Sequence, residues 1–329
     1  MPKKKLIIII LAPLLLAVIF LLIRPAKKTT LPPVVIPLPS VRPFSGSLPG
    51  LTDSSSLETP VVKTAAYFQL ATPDQTSLKA FFSPLAQDFG FIDQPQNSQL
   101  NRVPRLLWMN GSAYLDVNLT TGQFNFKPLL TNTAGRPAIS LTQALDIAKN
   151  FFQKYRLLNT DSPYEINYLK SSAYETHPVS ETDSPDIFRF YFYPLMDRLP
   201  VFSSDFEPAP AAIDITKQGD IFQVNYRLPA LAMANLSKPQ TQVTLKSEAQ
   251  IKQEAAANKA VIASVKTGPA EYVASTTKIT NAQYTKTELG YQFDEKNFSL
   301  TPVFKLSGTA TLANGTQAEI TAYLPAVLQ

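Results

Sequence analysis

The chain has no cysteine and one histidine in 329 residues. Without cysteine there is no disulfide framework, no thiolate nucleophile and no Cys-ligated zinc. The single histidine, His177 in "YETHPVSETDSPD", cannot build a His-rich zinc site. A Ser-His-Asp triad would have to use it, and no G-x-S-x-G elbow accompanies it. Before Pro178, in a polar stretch, it is expected to face solvent. There is no P-loop and no G-x-G-x-x-G, so nucleotide binding has no foothold. Acid is missing from residues 1–52, which carry seven basic side chains (Lys3, Lys4, Lys5, Arg24, Lys27, Lys28 and Arg42). The remaining residues hold 23 basic against 25 acidic, a net of −2. The overall charge of +5 therefore belongs to the N-terminal region, and no basic patch marks the rest as a nucleic-acid binder.

Charge is also absent from residues 6–23, "LIIIILAPLLLAVIFLLI", which open at Leu6 and close at Ile23. Roughly 17–25 apolar residues span a bilayer, and transmembrane helices tolerate a proline such as Pro13. The run is longer than the ~7–15 residues of a signal-peptide core, and no small-x-small cleavage site follows. These residues are read as an uncleaved anchor in membrane lipid. Lys3, Lys4 and Lys5 nearly balance Arg24, Lys27 and Lys28 across it, so the flanking charges do not fix orientation. The very short tail, residues 1–5, favours a cytoplasmic N-terminus and an extracytoplasmic body.

Residues 24–60 hold eight prolines and read as an extended polyproline tether, at ~3.1 Å per residue; a ligand for a proline-reading domain is the other use of such a stretch. An N-terminal α+β unit is expected over 61–135. In it Asp74 caps a helix, Pro84 kinks or splits that helix, and Gly90 ends it. Asn110-Gly111 and Thr121-Gly122 mark hairpin turns. Over 136–236, Ser140 caps a helix whose stripe runs Leu141, Ala144, Leu145, Ala148, Phe151, Phe152 and Tyr155, followed by strands. Residues 237–329 echo this unit. "ISLTQALDIAK" (139–149), "LPVFSSDF" (199–206) and "NYRLPAL" (225–231) line up with "VTLKSEAQIKQ" (243–253), "TPVFKLSG" (301–308) and "TAYLPAV" (321–327), at offsets of 104, 102 and 96 residues. The reading is a tandem duplication. The expected fold class is α+β, each unit one helix on a twisted antiparallel sheet.

The series of helix, strands, "YPLMDRLPVF" and "IDITKQGDIFQVNYRLP" resembles the PepSY-type units of bacterial envelope proteins, best over residues 139–329 and loosely over 61–130. With the anchor and tether, the layout is similar to the YycH/YycI regulatory proteins. That resemblance implies a non-catalytic, extracytoplasmic module that modulates an envelope sensor kinase. The alternative it leaves open is a peptidase inhibitor or chaperone-like module acting on a secreted peptidase.

Motifs for chemistry are sparse. Ser275 and Lys278 match S-x-x-K, and Lys266-Thr267-Gly268 matches K-T-G. Their order is reversed relative to penicillin-recognising serine enzymes and no S-x-N is present, so both read as coincidence. Glu181, Asp183 and Asp186 lack the spacing of a calcium loop and read as a solvated turn. Asp197, Arg198 and Asp205 surround "LPVF". Their counterpart "TPVFKLSG" keeps Pro-Val-Phe and none of the three charges, which marks Pro200, Val201 and Phe202 as buried strand and the three charged residues as a polar rim for a partner. An acid–base pair of Asp197 and Asp205, and with it a cell-wall hydrolase or transferase, is the weakest reading. No catalytic residue, metal or cofactor is expected.

Overall fold

The computed structural model describes residues 54–128, 136–171, 176–203, 209–235, 241–268, 271–273 and 277–328. The anchor read at residues 6–23 lies outside them. Among the described residues no helix is long and apolar enough to cross a membrane. The protein is a mixed α+β structure in which two nine-stranded sheets carry most of the chain.

Three of its helices begin and end alike. α1 (Gln75–Asp88), α2 (Leu141–Lys154) and α4 (Glu248–Ala256) are N-capped by Asp74, Ser140 and Ser247, whose side chains accept from the backbone N–H three residues on. Ser140 and Ser247 complete capping boxes with Gln143 and Gln250, which satisfies backbone donors that a helix start leaves over. At the far ends Gly90, Arg156 and Asn258 take positive φ. The paired bonds from Gly90 N to Gln87 O and from Phe91 N to Ala86 O recur after Arg156 and Asn258, the Schellman closure. Pro84 does not split α1, which runs as one element. One residue earlier the Ser83 hydroxyl donates to the Lys79 carbonyl. α3 (Ala230–Asn235) is a short turn of helix.

Each long helix feeds a run of strands. After α1 come β2 (Gln96–Leu100), β3 (Val103–Asn110), β4 (Ala113–Asn118) and β5 (Phe124–Lys127). After α2 come β6 (Tyr164–Ser171), β7 (Thr176–Val179), β8 (Ile187–Phe192), β9 (Leu195–Met196), β10 (Leu199–Phe202), β11 (Ala211–Thr216) and β12 (Ile221–Tyr226). Sheet 1 has the order β2-β3-β4-β5-β12-β11-β8-β6-β7. The two meanders thus meet through their last strands, with Asn125 opposite Asn225 at the seam.

Sheet 2 combines β14 (Val261–Gly268), β15 (Glu271–Tyr272), β16 (Ile279–Asp294), β17 (Ser299–Leu312) and β18 (Gln317–Pro325) in the order β15-β14-β18-β17-β16-β10-β9. β1 (Thr64–Gln69) and β13 (Thr241–Thr244) join at its edge, through pairing of β1 with β13 and β17. Here the strand after the helix, β14, lies beside the last strand, β18, whereas in sheet 1 the strand after α2, β6, is separated from the last strand, β12, by β8 and β11. The stretches matched in sequence consequently sit at different sheet positions. Pro200–Phe202 lies in β10, a short strand parallel to β16, and Pro302–Phe304 lies inside the long antiparallel β17. The capping serines are 107 residues apart, not 104. Proline followed by β-branched and aromatic residues suits any buried strand, so such short matches do not specify topology.

The core follows from strand alternation. One face of sheet 1, with Leu115, Phe124, Phe126, Phe190 and Phe192, packs on Leu78 and Phe82 of α1 and on Ala144, Ala148 and Phe152 of α2. The other face of β8 and β11 presents Tyr191 and Ala212 to Ala263, Val303 and Tyr323 of sheet 2. The far face of sheet 2, with Ile262, Phe304, Leu306 and Leu324, is covered by Ile251 and Ala255 of α4.

The end of the Pro-rich stretch is part of this packing. Leu57 is 2% exposed and belongs to the α4 cluster. Glu58 bridges Lys286 of β16 in parallel fashion, and the Ser54 hydroxyl donates to the Lys252 carbonyl. Replacing Leu57 with alanine is expected to lower stability by about 2–4 kcal/mol, as burial of that size predicts. Urea denaturation of the full chain in detergent measures it, and an unshifted midpoint would show that this docking contributes nothing.

Candidate functional site

"MDRLPVF", residues 196–202, is a link between the sheets. β8 ends at Phe192 and Tyr193-Pro194 leads out of sheet 1; the chain reverses in the β9–β10 hairpin, and β10 pairs parallel with β16 at Val201–Tyr291 and Phe202–Gln292. The reversal is a two-residue turn made by Asp197 and Arg198, with φ of 47° and 65°, the backbone of a type I′ turn. Both side chains are exposed, so these two expected rim residues sit at a hairpin tip. Asp205 lies outside the described residues. Burial, with the Asp197 charge added, pushes the phenol of Tyr291 above its usual value. A glycine meets no Cβ clash at a left-handed position, where an L-residue costs about 1–2 kcal/mol. Arg198→Gly is therefore expected to raise stability by about 0.5–1 kcal/mol, read as a higher urea midpoint. A lower midpoint would mean that the Arg198 side chain holds the hairpin.

Pro200, Val201 and Phe202 are buried, as their burial in a strand requires. Phe202 lies between the sheets, in ring contact with Tyr193 (6.1 Å) and Tyr323 (5.8 Å). Its seat exists because β16 has glycine at 290: a Cβ there would lie 2.3 Å from the Phe202 ring and 2.5 Å from the Pro200 carbonyl. At this point the sheets are in apolar contact. Further along the strands the contact gives way to a polar cleft.

The cleft has two lobes that share Glu165, Lys266, Thr309 and Glu319. The inner lobe, about 430 Å³, is lined also by Lys286, Lys305 and the hydroxyls of Ser264, Thr285, Ser307 and Thr321. The outer lobe, about 700 Å³, adds Tyr164, Asn167, Thr267 and Gln317. These side chains stand on β6, β14, β16, β17 and β18, which are paired in ladders, with bulges between Ile262 and Ser264 of β14 and between Tyr284 and Lys286 of β16.

Lys305 is a largely enclosed charge in the cleft. Its side chain is 13% exposed and its Nζ is 4.0 Å from the Glu288 carboxylate. The Phe202 and Tyr193 rings lie under it, 5.1 and 5.3 Å from Nζ, a cation–π arrangement. Tyr193 in turn donates its hydroxyl to Glu165 at 2.8 Å. Burial pulls the Lys305 ammonium below the usual lysine value. Glu288 and then Glu165 oppose this, while Lys266 and Lys286 add to it. Beside the cleft, Arg189 makes two 2.7 Å bonds to Asp214. Burial works against the Arg189 charge, and the Asp214 carboxylate more than offsets it.

The other sequence candidates do not converge here. His177 is exposed on the edge strand β7, opposite Lys170. Asp183 accepts from the Ser180 N–H and hydroxyl, and Asp186 pairs with Lys217. Among the described residues no group of three or more His, Asp or Glu side chains could hold a metal. Ser275 lies outside the described residues. Lys266, Thr267 and Gly268 do line the cleft. Lys286, Lys305, Glu165 and Glu319 were not singled out from the sequence. Their only signal was alternation within strands, which is common to every solvated sheet face.

No protein-family model matches the chain, and no curated protein matches it. Among solved structures it is similar to an uncharacterized protein from Eubacterium rectale ATCC 33656, with 12% identity over 80% of this chain and 82% of that one and a TM-score of 0.47. That likeness carries no functional information.

The depressed pKa of Lys305 has a consequence for stability. Between its folded value and the usual 10.5, the unfolded chain binds more protons than the folded one, so stability rises with pH across that window. Below it the buried charge exerts its full cost. Lys305→Met is expected to flatten the rise, measured as urea midpoints at stepped alkaline pH. Parallel profiles for the two proteins would show that the ammonium is effectively solvated.

Proposed function

We propose that the chain is a membrane-anchored, extracytoplasmic binding or regulatory protein with no catalytic activity of its own, built of PepSY-like tandem units. The kind of partner this reading favours is an envelope sensor kinase, as in the YycH/YycI regulatory proteins that its sequence resembles. The observation that carries the binding role is the inter-sheet cleft, where charged and hydroxyl side chains stand on paired strands rather than on loops. Rigid elements present a recognition surface with little ordering cost. The repeated helix with its two caps, each feeding a sheet, is consistent with units of one ancestry. The exposed hairpin tip at Asp197 and Arg198 is assigned to the rim of the partner contact.

A second reading, a module that inhibits or chaperones a secreted peptidase, draws on β2. It is a polar, largely exposed edge strand, suited to strand addition in a peptide-binding groove.

Photo-crosslinking in membranes separates these. A benzophenone side chain placed at Asn167 or Gln317 in the cleft is expected to trap one envelope protein, and the same group at exposed Ala80 on α1 is not. Equal trapping from all three positions, or none from any, would overturn the cleft as the binding site. A peptidase trapped from Ser98 on β2, with the cleft positions silent, would favour the second reading.

A further inference from the structure

The two lobes of the cleft differ in charge. Both contain Lys266, Glu165 and Glu319, but Lys286 and Lys305 belong to the inner lobe alone. The inner lobe therefore has more ammonium than carboxylate groups in its lining and the outer lobe has the reverse. Across the strands Lys266 stands opposite Glu319, Lys305 opposite Glu288, and Lys286 between Ser307 and the bridged Glu58. The lining of the inner lobe itself carries Lys266, Lys286 and Lys305 against Glu165 and Glu319, and of the two lysines peculiar to it Lys286 is the exposed one, beside hydroxyl donors. The negative excess lies toward Glu165 and Glu319, where the side-chain amides of Asn167 and Gln317 also line the wall.

We infer that the cleft binds a short zwitterionic peptide lengthwise, its carboxylate in the inner lobe at Lys286 and its ammonium in the outer lobe at Glu319. This rests on the reading of the cleft as a binding site and names its ligand class. Charge-assisted hydrogen bonds to a carboxylate are the strong term at the inner end. Between the ends, Asn167, Gln317 and Thr309 offer both donors and acceptors, which suits peptide amides better than apolar surface. The lobes fall in the size range of small-ligand sites. A ligand with one charge would satisfy one lobe and leave the other end of the cleft uncompensated.

The probe is tri-alanine with free termini, titrated calorimetrically into the full-length chain in detergent at constant ionic strength. N-acetyl tri-alanine lacks the ammonium and tri-alanine amide lacks the carboxylate. Tri-alanine is expected to bind, and each blocked form to bind about tenfold more weakly, the size of one charged hydrogen bond. The variants Lys286→Gln and Glu319→Gln change exposed side chains, and their urea midpoints check that folding is unaffected.

Pairing is the decisive readout. Lys286→Gln should weaken tri-alanine about tenfold yet leave the affinity of the amide unchanged. Glu319→Gln should do the same for the acetylated form. If tri-alanine does not bind, if blocking either end has no effect, or if Lys286→Gln tracks with acetylation instead, the inference fails. Crosslinking to an envelope protein from Asn167 that persists in that event would leave the binding reading standing and remove only the zwitterionic ligand.

Discussion

Phe202 is the contact on which the arrangement of the two sheets depends. It arrives from sheet 1 on a hairpin, enters the space left by a missing side chain at Gly290, and touches Tyr193 on one side and Tyr323 on the other. Its backbone is at the same time part of the parallel pairing of β10 with β16. One residue thus joins the sheets by main-chain bonds and by packing. Close-packed interiors leave no slack at such a point, so the sheets meet there and separate only beyond it. The cleft is the consequence of that separation.

The same ring also shapes the chemistry of the cleft. Lys305 rests over Phe202 and Tyr193, so the aromatic cluster that closes the sandwich forms the floor of its charged pocket. An ammonium held this way is partly desolvated but not abandoned, because the ring faces and the Glu288 carboxylate share its charge. Tyr193 extends the connection to Glu165 on β6. Packing and recognition therefore use one set of residues, and the polar groups acquire fixed positions without loops to hold them. Binding as the protein's task, like the regulatory role in the envelope, is our proposal.

Much of the local structure was legible in residue order. The caps Asp74 and Ser140, the Gly90 terminus, the stripe from Ala144 to Phe152 and the burial of Pro200–Phe202 all follow from short-range rules, since a cap or an amphipathic face depends on residues three or four apart. At Pro84 a kink or a split was expected from a missing N–H and ring clash; the split does not occur, and α1 continues as one element packed on Phe124 and Phe126. Arg156 was invisible as a helix stop because a left-handed arginine carries no compositional mark. The charges of "MDRLPVF" drew attention, but the stretch acts chiefly through its phenylalanine.

The chain alone determined the α+β class, the separation of a basic, apolar and proline-rich N-terminal region from a near-neutral remainder, and the placement of helices and turns. These depend on composition and on periods of two and 3.6. Only the tertiary structure decided that β5 joins β12, that β14 lies beside β18 rather than β16, and that Glu165, Lys266, Lys286, Lys305 and Glu319 share one cleft. Strand order and inter-sheet contacts bring together residues more than a hundred positions apart. No local pattern encodes such a distance, and the energy that selects it comes from burying two whole faces at once.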